Sequence, residues 1–164
     1  MNIKDIFYIL KFIEDGSNFS IVISLLDKED IPEDVNERVY EIILKERSTS
    51  LKLLKINNKN IKKDIRRRAE LKCLESPQYA YYLRKYIYDL PEDIKRRAEL
   101  KCCEDPHWAY SLRRVIKDLQ EDVKRRAEEK VCESPQWAYY LRRDVKDLPE
   151  HIKIFAEEKA RMGI

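Results

Sequence analysis

The sequence predicts an all-α fold, an α-solenoid of about five two-helix repeats that winds as a right-handed superhelix and ends in a capping helix. Three observations carry this prediction: a phrase that recurs at a constant step, a scarcity of glycine, and apolar residues at helical spacing. The 164 residues include two glycines, and 40% of them are charged. Sheet proteins need glycine-rich turns at short intervals, so this composition favours helices.

The repeat is visible as one phrase written three times in succession. Alanines mark its equal steps at Ala69, Ala98, Ala127 and Ala156. The three copies read RRAELKCLESPQYAYYLRKYIYDLPEDIK, RRAELKCCEDPHWAYSLRRVIKDLQEDVK and RRAEEKVCESPQWAYYLRRDVKDLPEHIK. Repetition this regular is typical of an array in which each unit packs on its neighbours.

Two helix starts occur in every copy. The first is an N-cap residue followed by proline, which suits the first helical turn because its missing N–H is not needed there. These pairs are Ser76-Pro77, Asp105-Pro106 and Ser134-Pro135. The second start is LPED at 90–93, repeated as LQED at 119–122 and LPEH at 148–151, where acidic groups favour a helix N-terminus.

These starts divide the chain into units that we expect to form a single domain over 1–164. IPEDV at 31–35 matches the LPED start and opens a diverged copy, and a turn at Gly16 and Ser17 divides the segment before it. The predicted units lie near 2–31, 32–61, 62–90, 91–119 and 120–148, with a capping helix at 149–161. The more degenerate ends are predicted to be caps, since an end unit needs one polar face.

Apolar residues at helical spacing predict how the helices pack. Ile94, Ala98 and Cys102 form a narrow stripe on the LPED helix, and Ala109, Leu112 and Ile116 form the matching stripe on the next helix. The aromatic residues beside the second stripe are predicted to pack between adjacent repeats. They are Tyr79, Trp108 and Trp137.

Two resemblances agree with this architecture. The string from Asp64 to Ala69, DIRRRA, resembles the D-V-R-x-x-A core of HEAT-type repeats, as does DIKRRA at 93–98. The repeat unit is shorter than a HEAT unit, and the SPxWAY helix is not part of that pattern. The S/D-P-x-Y/W-A-Y phrase is similar to repeats in proteins of phages and other mobile elements. Both resemblances imply a helical stack used for binding, and neither implies catalytic residues.

Residue types that carry chemistry do not form a catalytic or metal-binding pattern. His107 and His151 occupy positions held by Gln or Asp in sister repeats, so we interpret both as surface substitutions. The four cysteines lack CxxC pairing, which favours free thiols packed in the core over a zinc site. The paired carboxylates recur at helix starts, where they cap and complement the dipole. We therefore expect no enzyme activity, no metal and no cofactor.

A surface of tyrosines and cations is the candidate binding site. In the first full copy Tyr81, Arg84 and Lys85, with Tyr88, lie three and four residues apart, opposite Ala80, Leu83 and Ile87. Stacking would align them with their equivalents as two ladders. Those equivalents are Tyr110, Arg113, Arg114, Tyr139, Arg142 and Arg143. The competing interpretation is a solvated face in which the arginines pair with nearby acids, namely Glu104, Glu133, Asp118 or Asp147.

The partner is left open at this stage. A protein partner is our leading hypothesis, nucleic acid bound by the Tyr/Arg ladders is the alternative, and a helical-repeat enzyme acting on DNA bases is a third. Residues 1–61 carry 9 Lys/Arg against 11 Asp/Glu, and the remainder carries 25 against 20, so an acidic partner is permitted. We expect a cytoplasmic protein without signal peptide or membrane span, of thermophilic character, able to self-associate through its ends. Which helix layer is concave is not predicted.

Overall fold

The structure is a computed structural model that describes residue 11, residues 32–56 and residues 61–162. Within these residues the fold is all-α, as predicted, with nine helices and no strand. The helices are α1 (Glu33–Lys45), α2 (Arg47–Lys55), α3 (Lys63–Cys73), α4 (Pro77–Tyr86), α5 (Glu92–Cys102), α6 (Pro106–Val115), α7 (Glu121–Val131), α8 (Pro135–Asp144) and α9 (Glu150–Met162). The predicted unit at 2–31 lies outside the described residues, apart from Lys11.

The helices begin where the sequence places their starts. Helices α4, α6 and α8 begin at the prolines of the S/D-P pairs, and α1, α5, α7 and α9 begin at the glutamate of the PED-type starts. The capping mechanism differs among the copies. The Asp105 carboxylate accepts from the backbone N–H groups of His107 and Trp108, at 3.0 and 3.1 Å. Ser76 and Ser134 make no such bond, so the predicted side-chain cap is wrong for these two serines.

The chain divides into two compact units, residues 1–75 and 76–164. In the first unit, α2 packs on both α1 and α3, and α1 also contacts α3. Ile43 and Leu53 are fully buried in its core. The Thr49 hydroxyl of α2 donates to the Ile43 carbonyl of α1 at 2.5 Å. Arg68 of α3 pairs with Glu41 of α1 at 2.5 Å, so an ion pair joins these two helices.

The second unit is a two-layer array. Each S/D-P helix packs most extensively on the helix that follows it, giving the pairs α4 with α5, α6 with α7, and α8 with α9. One layer forms because α6 contacts both α4 and α8, and α5 contacts α7 in the other layer. Helices packed in consecutive pairs are the arrangement of an α-solenoid.

The core of the second unit confirms both predicted stripes. Ile94, Ala98 and Cys102 are completely buried on α5, as are Ala109 and Leu112 on α6. Each stripe contains an alanine, Ala98 on α5 and Ala109 on α6, which allows close helix approach because it adds little volume at the contact. The layer of α4, α6 and α8 is thereby held at a fixed register, which positions its outer side chains.

Candidate binding surface

A continuous row of aromatic rings crosses α4, α6 and α8. Tyr82 lies 5.7 Å from Trp108 on the next helix, and His107 stacks on Trp137 at 4.5 Å between centroids with an interplanar angle of 17°. Trp137 in turn lies 5.7 Å from Tyr140. We call this row the aromatic seam; its half-buried members are Tyr79, Tyr82, His107, Trp108, Trp137 and Tyr140.

The seam forms because the repeat places an aromatic residue at the start of each S/D-P helix. Trp108 packs on Tyr81 at 5.5 Å, and one repeat later Trp137 packs on Tyr110 at 5.4 Å. Both contacts join adjacent repeats, as predicted for the two tryptophans. Ring pairs of this kind contribute about 0.5–1.5 kcal/mol beyond their burial.

Cations lie over tyrosine rings in the seam and next to it. The Lys85 ammonium lies 5.6 Å from the Tyr81 ring and 5.1 Å from the Tyr86 ring. Arg114 lies 6.0 Å from the Tyr110 ring, and Arg143 lies 4.7 Å from the Tyr140 ring. Three of the predicted ladder cations therefore sit beside aromatic faces at cation–π distance.

The three ladder tyrosines occupy different environments. Tyr81 and Tyr110 are 5% and 6% exposed, because the tryptophan of the following repeat covers each of them. Tyr139, the equivalent residue of α8, is 53% exposed. Tyr88 is 94% exposed and lies in the turn after α4. Of the three ladder tyrosines, Tyr81 and Tyr110 are thus buried at interfaces between repeats, and Tyr139 is exposed.

Two of the ladder arginines form ion pairs that join successive repeats. The Arg113 Nε donates to Glu128 Oε1 at 2.7 Å, and its Nη2 lies 3.1 Å from Asp147 Oδ2. One repeat earlier, Arg84 donates to Glu99 at 2.7 Å and to Asp118 at 2.6 Å. We call these two sets the Arg–Glu–Asp triads. Arg113 and Glu128 are each 3% exposed by side chain, so this pair is shielded from water.

The pKa values of the triad of Arg113, Glu128 and Asp147 reflect opposing effects. Burial raises the pKa of Glu128 above its ordinary value, although the hydrogen bond from Arg113 acts in the opposite direction. Burial also opposes the ionised form of Arg113, but hydrogen bonds to Glu128 and Asp147 raise its pKa overall. The more exposed Asp147 has a lowered pKa because Arg113 hydrogen-bonds to it. The triad therefore holds an ionised arginine between two carboxylates of unequal burial.

Further ion pairs also cross between repeats. Asp122 precedes Arg126 by four residues, a spacing that favours a pair within α7, but Asp122 pairs with Arg96 of α5. This hydrogen bond lowers the pKa of Asp122. Tyr110 of α6 donates to Asp144 of α8 at 2.5 Å, and Asp144 also accepts from Arg143 at 2.6 Å. These two hydrogen bonds lower the pKa of Asp144 to about 2, and the bond from Arg143 contributes more than the bond from Tyr110.

Two related cavities lie beside the triads, lined in part by the loops that precede α5, α7 and α9. One, of about 260 Å³, is lined by Arg84, Lys95 and Asp118, with Glu92 and Tyr88. The other, of about 400 Å³, shares four of these positions one repeat later, those of Arg113, Glu121, Lys124 and Asp147. Its lining includes four carboxylates, those of Glu121, Asp122, Glu128 and Asp147. An anion entering this cavity therefore meets repulsion as well as attraction.

The four cysteines have the environments of packed core residues. Cys73, Cys102 and Cys132 are buried in the core, as predicted, and Cys103 is half-buried. Burial raises the pKa of Cys73 to about 12 and those of Cys103 and Cys132 to about 11, so the thiols stay protonated. In the described part of the chain, no cluster of three or more His, Cys, Asp or Glu side chains is arranged to hold a metal ion.

Sequence reasoning does not identify every residue of this surface. The repeat pattern marks His107 as an isolated substitution, yet its ring bridges Trp108 and Trp137 at 4.4 and 4.5 Å. The buried carboxylates Glu99 and Glu128 follow arginine runs in the sequence, whereas their partners lie on the preceding helices. The signal for the triads is a constant separation: the arginine precedes the glutamate by 15 residues and the aspartate by 34.

None of the described helices combines the length and apolar content that crossing a bilayer requires. Comparison with family models, with curated proteins and with solved structures finds no match for this chain. The HEAT-type and mobile-element resemblances therefore rest on the short strings that suggested them, and function has to be argued from the surface itself.

Proposed function

We propose that the chain is a non-enzymatic scaffold that binds a protein partner through the aromatic seam of α4, α6 and α8 and its flanking cations. The observation that supports this proposal is the seam itself, a row of half-buried rings on three successive helices with Lys85, Arg114 and Arg143 beside it. Trp, Tyr and Arg are the residues most enriched at the energetic centres of protein interfaces. Rings held by their neighbours also lose little conformational entropy when a partner binds.

A protein partner fits this surface better than nucleic acid because many of the cations are already neutralised. Arg84 and Arg113 each engage two carboxylates, so neither is available to a phosphate without breaking the triad. Arg143 lies against Asp144 at 2.6 Å. Nucleic-acid affinity rises with the number of phosphates neutralised, and three of the six ladder cations, Arg84, Arg113 and Arg143, are already paired with carboxylates.

Nucleic acid is the second candidate because half-buried aromatic rings next to cations are the combination on which bases stack. A tyrosine or tryptophan platform contributes about 1–3 kcal/mol per stacked base, and arginine adds electrostatic attraction. The two candidates differ in salt dependence, since binding to phosphates weakens steeply as salt rises.

The experiment compares wild type with two charge-matched variants. The seam variant carries Lys85→Glu, Arg114→Glu and Arg143→Glu; the control carries Arg97→Glu, Arg125→Glu and Arg126→Glu at exposed positions of α5 and α7. Each is tested for binding to fluorescent single- and double-stranded DNA and RNA over a salt series. Each is also used as bait in extract of the native host, with cross-linking at the seam and mass spectrometry.

The protein-scaffold proposal predicts one specific cross-linked protein for wild type and the control, its loss in the seam variant, and little nucleic-acid binding. Tight nucleic-acid binding that decreases with salt and is lost in the seam variant would replace it with the second candidate. Equal loss of binding in both variants would show that binding depends on net charge and would contradict a role for the seam.

A further inference from the structure

The two faces of each repeat in the second unit differ in chemistry. The face toward the C-terminus presents a tyrosine and an arginine, such as Tyr81 with Arg84 and Tyr110 with Arg113. The opposing face of the next repeat supplies a tryptophan to the tyrosine and an aspartate to the arginine. Every described interface between these repeats therefore joins a basic, phenolic face to an acidic, indole-bearing one.

The pair α8 and α9 presents the basic, phenolic face without a covering repeat among the described residues. Four side chains of this face are equivalent to residues that the inner repeats use: Tyr139, Arg142, Ile154 and Glu157. Glu157 is 51% exposed, whereas its equivalents Glu99 and Glu128 are almost completely buried. Arg142 is exposed and makes no ion pair within the described part of the chain. We call these four residues the C-terminal face.

This face is also more apolar than a capping end requires. Ile154 occupies the position of Arg96, the residue that reaches across to Asp122 of the next repeat. It is 52% exposed, beside an α8 helix whose Tyr139 is exposed to a similar degree. The predicted capping helix, α9, therefore carries an exposed apolar side chain at this position. Tyr139 and Arg142 lie three residues apart on α8, and the equivalents of both are buried or partly buried by the following repeat in the inner copies.

We infer that the C-terminal face docks a helical segment of a partner protein that carries an indole ring and a carboxylate in the spacing of the inner repeats. The indole would cover Tyr139 as Trp108 covers Tyr81, and the carboxylate would pair with Arg142 as Asp118 pairs with Arg84. The inner interfaces supply both the shape and the charge pattern of this occupant. The inference deepens the proposed function by naming a second surface and its partner chemistry, and it does not depend on the aromatic seam being occupied.

The chain offers a probe of matching chemistry in its own helices α6 and α7. Met162 occupies the position of Glu104, so residues 105–133 joined directly after Met162 continue the array in register. The added segment brings a copy of Trp108 opposite Tyr139 and a copy of Asp118 opposite Arg142. The matched control is the same extended chain with these two added residues changed, the tryptophan to Ala and the aspartate to Asn.

The readout is the rate of hydroxyl-radical oxidation of Tyr139, measured by mass spectrometry in the original chain, the extended chain and the control. Exposure of this tyrosine should fall from 53% toward the 5% and 6% of its buried equivalents, so we expect the rate to fall about tenfold in the extended chain. The control should lose most of this protection. Circular dichroism of all three chains checks that the added helices are formed.

Two results would overturn the inference. An unchanged oxidation rate at Tyr139, or equal protection by the control segment, would show that the face does not select an indole and a carboxylate. Sedimentation of the original chain as a dimer or polymer that Arg142→Glu dissociates would assign the face to a second copy instead. Both results are independent of whether the seam variant loses its protein partner, so failure here is distinguishable from failure of the proposed function.

Discussion

The buried ion pair between Arg113 and Glu128 allows a graded test of how the repeats are held together. The perturbation is Arg113→Met, which keeps an unbranched side chain but removes the charge. Glu128, 3% exposed by side chain, would then be left without its cation. Arg84→Met and Arg142→Met make the same change at equivalent positions. The Arg84 side chain is 12% exposed, and Arg142 lies on the exposed surface.

The expected magnitude follows from the burial of the carboxylate that is left behind. Removing one partner of a buried pair lowers the free energy of unfolding by about 3–5 kcal/mol, because an uncompensated charge remains in the interior. We expect this for Arg113→Met, a similar or slightly smaller loss for Arg84→Met, and a change within about 0.5 kcal/mol for Arg142→Met. For a chain of this size the first loss lowers Tm by about 6–20 °C.

The assay is urea unfolding followed by circular dichroism and by tryptophan fluorescence. The far-ultraviolet signal reports all helices, whereas fluorescence reports Trp108 and Trp137, which lie at the interfaces between repeats. Agreement between the two probes supports a cooperative transition, and disagreement identifies repeats that unfold separately. The double variant Arg113→Met with Glu128→Leu removes both charges and should recover most of the lost stability.

The reasoning would be refuted if Arg113→Met cost no more than Arg142→Met. It would be refuted equally if the double variant were as unstable as Arg113→Met alone, since the loss would then come from packing of the arginine stem. If Arg113→Met and Arg84→Met lower the free energy of unfolding far more than Arg142→Met does, the result supports the triads as the links between repeats.

Three further predictions test other contacts. Asp105→Ala should lower the free energy of unfolding by about 1 kcal/mol because it removes a side-chain cap, whereas Ser134→Ala, which removes none, should change it by less than about 0.5 kcal/mol in the same urea assay. The four cysteines should react with Ellman's reagent at pH 8 only after unfolding, because burial raises the thiol pKa values; rapid reaction of the folded chain would contradict this. The pKa of Asp144 is about 2 when folded against 3.8 ordinarily, so its contribution to stability is present above pH 3.8 and lost as pH falls toward 2. Asp144→Asn should therefore flatten the loss of stability over that range, and an unchanged slope would count against the contact.

The fold was largely predictable because its signals are local. The proline after Ser76, Asp105 and Ser134 begins a helix in every copy, whatever the tertiary contacts of that copy. The buried stripe that contains alanine can be identified from residue spacing alone. The predicted right-handed superhelix and single domain remain predictions. The missing side-chain caps at Ser76 and Ser134 show the limit of local reasoning, since the proline alone is enough to begin those helices.

The binding surface was less predictable because burial in a repeat array is decided by the neighbouring copy. Tyr81, Tyr110 and Tyr139 have nearly the same sequence context, yet only Tyr139 is exposed among the three. Helical periodicity places each of them on an outer face of its own helix, and it carries no information about the tryptophan that covers it. The arginines present the same difficulty, because Arg113 finds its acids on later elements and not one turn away.

The constant separations within the triads have a consequence for how such an array changes in length. Each arginine finds its glutamate 15 residues and its aspartate 34 residues downstream, and a shift by one whole repeat moves all three roles together. Deleting one whole repeat therefore brings an arginine to the acids of the following copy, and duplicating one supplies the acids that the new arginine needs. Gene duplication or loss in steps of one repeat can lengthen or shorten this protein without leaving a buried charge alone, whereas a shift of a few residues cannot.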